Sequence, residues 1–180
     1  MTTIESAPRT TAATRWIVDG RRTSVEFAVG TFWGLTTVRG RFDRFDGSYE
    51  SRPGGGTIEL TVDAGSVDTG NRIRDGHLRS VSFFDVAEHP EVRFASTRVR
   101  PAGRGLLHVE GVLEAAGNVV PLEFDARVRQ VDDALEIEAT TTVDQRQLGM
   151  SSGTLGMIRR PATLHVDARL AERADDESVR

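Results

Sequence analysis

The amino-acid sequence predicts an all-β domain of about eight or nine antiparallel strands closed into a barrel or sandwich. Three observations carry this. From Trp16 onward apolar and polar residues alternate in segment after segment, the period of strands with one buried face. Turn residues fall between the segments, and only two stretches break the pattern. Alternation, as opposed to unbroken apolar runs, marks antiparallel strands. Closure is favoured because it leaves no exposed edge.

In chain order the expected strands are 16–19, 24–29, 36–45, 56–63, 91–100, 106–114, 119–129, 134–144 and 162–170. Val25, Phe27 and Val29 alternate with Ser24, Glu26 and Ala28, and Phe42 holds the same place in the next strand. Ile58, Leu60 and Val62 continue the pattern, and Phe94 takes it up in the fifth. Leu107, Val109, Gly111 and Leu113 form the inward set of the sixth, and Leu122, Phe124, Ala126 and Val128 that of the seventh. Leu135, Ile137, Ala139, Thr141 and Val143, then Leu164, Val166, Ala168 and Leu170, complete it. Turns are expected at Asp19-Gly20, Asp46-Gly47, Pro53 to Gly56, Pro101-Ala102-Gly103, Gly117-Asn118 and Asp132-Asp133, all rich in residues that tolerate turn dihedrals.

The first interruption, 71–80, reads as a short helix capped by Asp68 and Thr69, with Ile73, His77 and Ser80 on one face. The second, 146–157, is rich in Gly, Ser and Met and reads as a loop or helical turn. The ends read as disordered, which divides the chain into a 1–14 tail, a 15–171 domain and an acidic 172–180 tail.

With 180 residues the chain fits one domain. A formal net charge of -4 gives no basic field for phosphate backbones, so nucleic acid is not an expected partner. All 23 basic residues counted as Lys or Arg are Arg, which removes Schiff-base chemistry and a P-loop lysine. Cysteine is absent, which removes disulfides, thiolate nucleophiles and Cys-ligated metals. His77, His89, His108 and His165 show no metal-ligand spacing, so no metal and no cofactor are expected. Nucleophile-elbow, dinucleotide and phosphate-loop motifs are missing too. The first 15 residues have no apolar signal-peptide core. No run reaches the roughly 20 apolar residues of a membrane span, so a cytoplasmic location is expected.

The sequence Asp68 to Val86 is the most distinctive in the chain. Thr69-Gly70-Asn71, Arg74-Asp75-x-His77-Leu78 and Phe83-Phe84-Asp85-Val86 occur there in that order and spacing. With Trp16-Ile17-Val18-Asp19 before it and His89 to Phe94, Val109 to Leu113 and Arg146 to Gly149 after it, the chain resembles the YceI-like family of lipocalin-like barrels. That resemblance implies an eight-stranded antiparallel barrel with a short helix between strands. It also implies an apolar interior that holds a long-chain lipid such as a polyisoprenoid, an isoprenoid quinone or a fatty-acyl amide. Thr31-Phe32-Trp33-Gly34-Leu35 departs from the small polar residues usual there.

On that reading Phe27, Phe42, Leu60, Phe94, Leu113, Phe124 and Ile137 line a tunnel, and the small Gly111, Ala126, Ala139, Thr141 and Ala168 leave the space for it. Phe32, Trp33, Leu78 and Met150 are further ligand-lining candidates, Met150 as adaptable filler. Only one of Phe83 and Phe84 is expected to face inward, because neighbours in a strand point to opposite faces. His77 either donates to a ligand oxygen or bonds a backbone carbonyl. Asp68, Asn71, Arg72, Arg74, Asp75 and Arg146 are expected to hold the segment as a plug or gate, and Trp16 to close the floor. Each buried methylene contributes roughly 0.8 kcal/mol, so chain length governs affinity. Three readings follow: a non-catalytic carrier, a barrel enzyme acting on an isoprenoid or polyketide, and a solid-core interaction module. Association into a homodimer is left open.

Overall fold

The computed structural model describes residues 13–31, 36–150 and 161–173. Its strands are β1 (Thr14–Val18), β2 (Ser24–Thr31), β3 (Thr36–Phe42), β4 (Phe45–Arg52), β5 (Gly55–Asp63), β6 (Val67–Asp68), β7 (Glu91–Gly103), β8 (Leu106–Ala115), β9 (Asn118–Val131), β10 (Ala134–Val143) and β11 (Ala162–Glu172). Among the described residues one α-helix, α1 (Arg72–Arg79), lies between β6 and β7. All strand pairings are antiparallel, and β1 pairs with both β4 and β11, which closes the sheet.

The barrel has eight staves because three of them are each made of two strands in line. β11 pairs first with β2 and then with β1 along its length. β3 and β4 form the next stave against those two, and β6 and β5 the one after. Hydrogen bonds carry the ladder across the breaks: the Asp19 amide donates to the Arg169 carbonyl at 2.8 Å and the Asp63 amide to the Arg44 carbonyl at 2.9 Å. Few backbone groups at the breaks are therefore left without partners.

The closed antiparallel barrel is the predicted architecture, with corrections at its turns. Asp46-Gly47 lies inside β4, and the chain breaks three residues earlier, at Asp43-Arg44. Gly47 is there for space: a Cβ would sit 3.0 Å from both the Glu59 carbonyl oxygen and Val18. Pro101-Ala102-Gly103 belongs to β7, which bulges at this point. The β8–β9 turn is Ala116-Gly117, both at positive φ (49° and 72°), as a two-residue hairpin that follows the sheet twist requires.

Gly55 opens β5, and an added Cβ would meet the Val99 carbonyl oxygen at 2.0 Å. Backbone cannot move aside there without opening the β5–β7 ladder. Gly55→Ala is expected to cost about 2–3 kcal/mol, the scale of overpacking, and to lower the melting temperature by about 4–10 °C. Gly20→Ala, with nothing within 4 Å of its Cβ, serves as the control. Equal melting temperatures for the two variants contradict the argument.

The two ends of the barrel differ. Tight hairpins join β4 to β5, β7 to β8 and β9 to β10 at one end. At that end Trp16, Val99, Val109 and Leu135 are buried in the main core, and they form a solid floor. The other end carries α1 and the 80–90 connection, the Ala116-Gly117 turn, and a turn over 144–149 in which the Gln147, Leu148 and Gly149 amides bond back three residues. Asn118 ties the last two together through Nδ2, which donates to the Ala116 and Leu148 carbonyls.

Helix α1 is capped by Asn71, not by Asp68 or Thr69: Asn71 Oδ1 accepts from the Ile73 and Arg74 amides. Ile73 is 87% exposed and His77 is largely exposed, whereas Asp75 is buried. An eight-residue helix gains little stability by itself, so the contacts of Asp75 and Leu78 decide how it docks.

Candidate ligand cavity

Above the floor the barrel holds a cavity of about 480 Å³, open at its mouth, within the usual range for small-molecule sites. It is walled by the inward residues of nearly every stave. Phe27, Phe42, Leu60, Phe94, Leu113, Phe124 and Ile137 all line it, as do the small residues Ala126, Ala139, Thr141 and Ala168. Ala126 and Ala139 are direct cross-strand partners. Together with Ala168, next to Ala139's partner Val166 by one inward step, they leave one wall thin. The upper barrel is therefore hollow and not filled by side chains, contrary to a solid core.

Gly111 does not line the cavity. The ring of Phe94 lies over it, 2.6 Å from where a Cβ would be, so the space freed by this glycine is taken by a neighbouring aromatic. Phe94 in turn packs against Phe124 with centroids 5.5 Å apart. Gly40 stands under Phe27 in the same way: a Cβ there would lie 2.4 Å from Phe27 Cζ.

Among the described residues the roof is built from three pieces. Leu78 of α1, Phe83 and Phe84 beyond it, and Leu148 and Met150 of the 144–150 segment all face the cavity. Both phenylalanines contribute, contrary to the expectation that one must point away. They sit in a turn, where the Phe83 amide bonds the Ser80 carbonyl and the Phe84 amide the Leu78 carbonyl, so strand alternation does not apply. Phe27, Phe42 and Phe84 form a chain of ring contacts at 5.6 and 5.7 Å that ties wall to roof. Such offset and edge-on contacts add about 0.5–1.5 kcal/mol each beyond area burial.

The charged residues of this segment work as fasteners. Asp75 Oδ1 accepts from the Thr69 amide at 2.9 Å and the Thr69 hydroxyl at 2.6 Å. These bonds, the side-chain one foremost, hold its carboxyl below the ordinary range despite opposing desolvation. Arg74 Nε donates to Thr69 Oγ1 and Nη2 to the Thr69 carbonyl, while Arg79 spans the Gly65 and Val67 carbonyls. Asp68 accepts from the Gly70 amide and from Arg41. Arg146 pairs with Asp144 at 2.6 Å and steadies its own turn. Arg72 is exposed on the outer side of α1.

Polar groups reach the cavity mainly under the roof, from Arg74, His77, Thr141 and Gln145. His77 meets Phe83 edge-on at 5.0 Å. Lower down, Tyr49 is buried, with its phenol pushed up by desolvation and its hydroxyl 3.4 Å from the Gly55 carbonyl. Phe32 and Trp33 lie outside the described residues. The sequence reading missed Tyr49 because the expected 36–45 strand ended at Phe45, where β4 begins. It missed Gln145 because that residue falls between the expected 134–144 strand and the 146–157 loop. The phasing of Phe45, Gly47 and Tyr49 was the available signal for the first.

His108 and His165 are on the outer wall, bonded to Asp125 and Thr140. Among the described residues no group of three or more His, Asp or Glu is arranged to hold a metal. No helix among them is long and apolar enough to cross a membrane.

The profile of the YceI-like domain matches residues 16–170. A UPF0312 protein of Shewanella baltica is 30% identical over 175 residues, covering 91% of this chain and 88% of that one. A UPF0312 protein of Vibrio cholerae is 31% identical over 128 residues, 68% of this chain and 67% of the relative. Among solved structures the fold is similar to Burkholderia cenocepacia BcnA, with a TM-score of 0.78 at 18% identity over 84% of this chain and 98% of that one. It is also similar to a polyisoprenoid binding domain from Saccharophagus degradans, with a TM-score of 0.66 at 17% identity over 91% of this chain and 99% of that one.

Proposed function

Since the chain belongs to the YceI-like domain family, we propose that it binds and carries one long-chain apolar lipid in the barrel interior, without chemically altering it. The observation that carries this reading is the cavity of about 480 Å³, lined almost throughout by apolar side chains above a solid floor. A structural neighbour described as a polyisoprenoid binding domain supports a prenyl or similar chain as ligand. In such a site Phe27, Phe42, Leu60, Phe94, Phe124 and Ile137 contact the chain, and His77, Thr141 and Gln145 meet its polar end.

A carrier reading also fits the placement of the titratable groups. Arg74 is engaged by Thr69, and Glu26 and Glu59 border the cavity from exposed positions. Acid–base chemistry needs two groups of opposite role within hydrogen-bond reach of one substrate atom, and among the described residues no carboxylate pair faces the interior.

Organic extraction of the purified protein, followed by mass spectrometry, is expected to release a stoichiometric lipid. Lipid-free protein should take up a fluorescent prenyl or fatty-acyl probe. A clean extract together with no probe binding overturns the proposal. Conversion of the bound lipid on incubation would replace the carrier with an enzyme.

A further inference from the structure

Resting on the carrier reading, we propose that the cavity sets a length limit: it buries about sixteen chain carbons, at roughly 30 Å³ for each water-sized group, and a longer lipid keeps its remainder outside. That corresponds to an acyl chain of palmitoyl length or to three or four isoprene units. A polyisoprenoid of twice that length has about half its chain beyond the barrel.

The limit follows from the walls. Trp16, Val99, Val109 and Leu135 fill the hairpin end, so a chain cannot thread through to the other side. From the floor to the roof, β10 contributes Ile137, Ala139, Thr141 and Val143 to the lining, a span of about 20 Å along the strand that strand tilt shortens in depth. A volume of about 480 Å³ over that depth leaves room for one hydrocarbon chain and not for two side by side. The polar lining groups Thr141, Gln145 and His77 stand at the roof end, so a chain enters tail first and any surplus leaves past α1.

The thin wall formed by Ala126 and Ala139 offers the adjustable boundary. Both are cavity-lining, and Ala126 is fully buried. A leucine at either position adds about three carbons to the wall and takes their volume from the chain.

The test is competition of saturated primary alcohols, ten to twenty-four carbons in two-carbon steps, against a bound fluorescent fatty acid. Affinity is expected to rise up to about four-fold per methylene and to level off near sixteen carbons. In Ala126→Leu, or Ala139→Leu if the first does not fold, the break is expected about three carbons earlier, with the melting transition retained. Affinity that keeps climbing beyond twenty carbons overturns the limit and leaves the carrier reading intact. A break that stays in place in both folded leucine variants also overturns it, because the cause then lies in the ligand's solubility. Failure of every alcohol and of the probe itself overturns the carrier reading, and the limit with it.

Discussion

Ala139→Trp is expected to weaken lipid binding at least a hundred-fold while the barrel still folds. Ala139 faces the cavity, with Ala126 beside it across the β9–β10 ladder. An indole there occupies space that otherwise takes about four methylenes of the ligand, a loss of about 3 kcal/mol and so at least two decades in Kd. The ring grows into empty volume, not into packed side chains, so the usual overpacking cost is small. Glu138→Trp, one residue along β10 and exposed, places the same ring outside and is expected to bind normally. Both variants are measured by probe titration alongside thermal melting. Normal binding by Ala139→Trp removes the barrel interior as the ligand site.

Asp75→Ala is expected to be the most destabilising change in the roof. It removes two hydrogen bonds to a carboxylate and leaves the Thr69 amide and hydroxyl without their partner, in a segment where Arg74 and Arg79 are also fixed. Losing charge-assisted bonds from a buried position costs about 3–4 kcal/mol, or about 6–15 °C in melting temperature. The sign of the pH dependence follows from the direction of the shift. The folded Asp75 carboxyl titrates below its unfolded value, so its contribution is present above the unfolded value of about pH 4 and is lost as pH falls through the folded one. The gap between wild type and Asp75→Ala is therefore expected to be widest at neutral pH and to close below about pH 4. Asp63, held low by Arg44, and Asp144, held low by Arg146, are unchanged in the variant and cancel in the comparison. A gap that is constant down to pH 3 would show that Asp75 acts through packing alone.

Much of the cavity was legible in the residues. Every alternating strand contributed the inward positions its period announced, and of those that were ligand candidates only Gly111 failed to reach the cavity. It failed because a glycine in a strand frees space without saying who fills it, and here Phe94 does so. The roof was less legible. Phe83 and Phe84 were assigned by a strand rule in a segment that turns. The capping of α1 falls to Asn71, two residues beyond Thr69, because Asp68 is engaged by Gly70 and Arg41 and Thr69 by Asp75 and Arg74.

By itself the sequence determined the all-β class, the antiparallel pairing and the apolar interior, because strand period and turn chemistry are local properties of the chain. It also determined that thiol, lysine and Cys-metal chemistry are absent. Only the tertiary structure decided that three staves are split in two, that the floor is solid and the upper barrel hollow, and that Asp75 fastens the roof. Those depend on which side chains share a level of the barrel and which backbone approaches which. The distance between Gly55 and Val99, or between Phe94 and Gly111, is written in no stretch of sequence and arises only when the ring of staves closes.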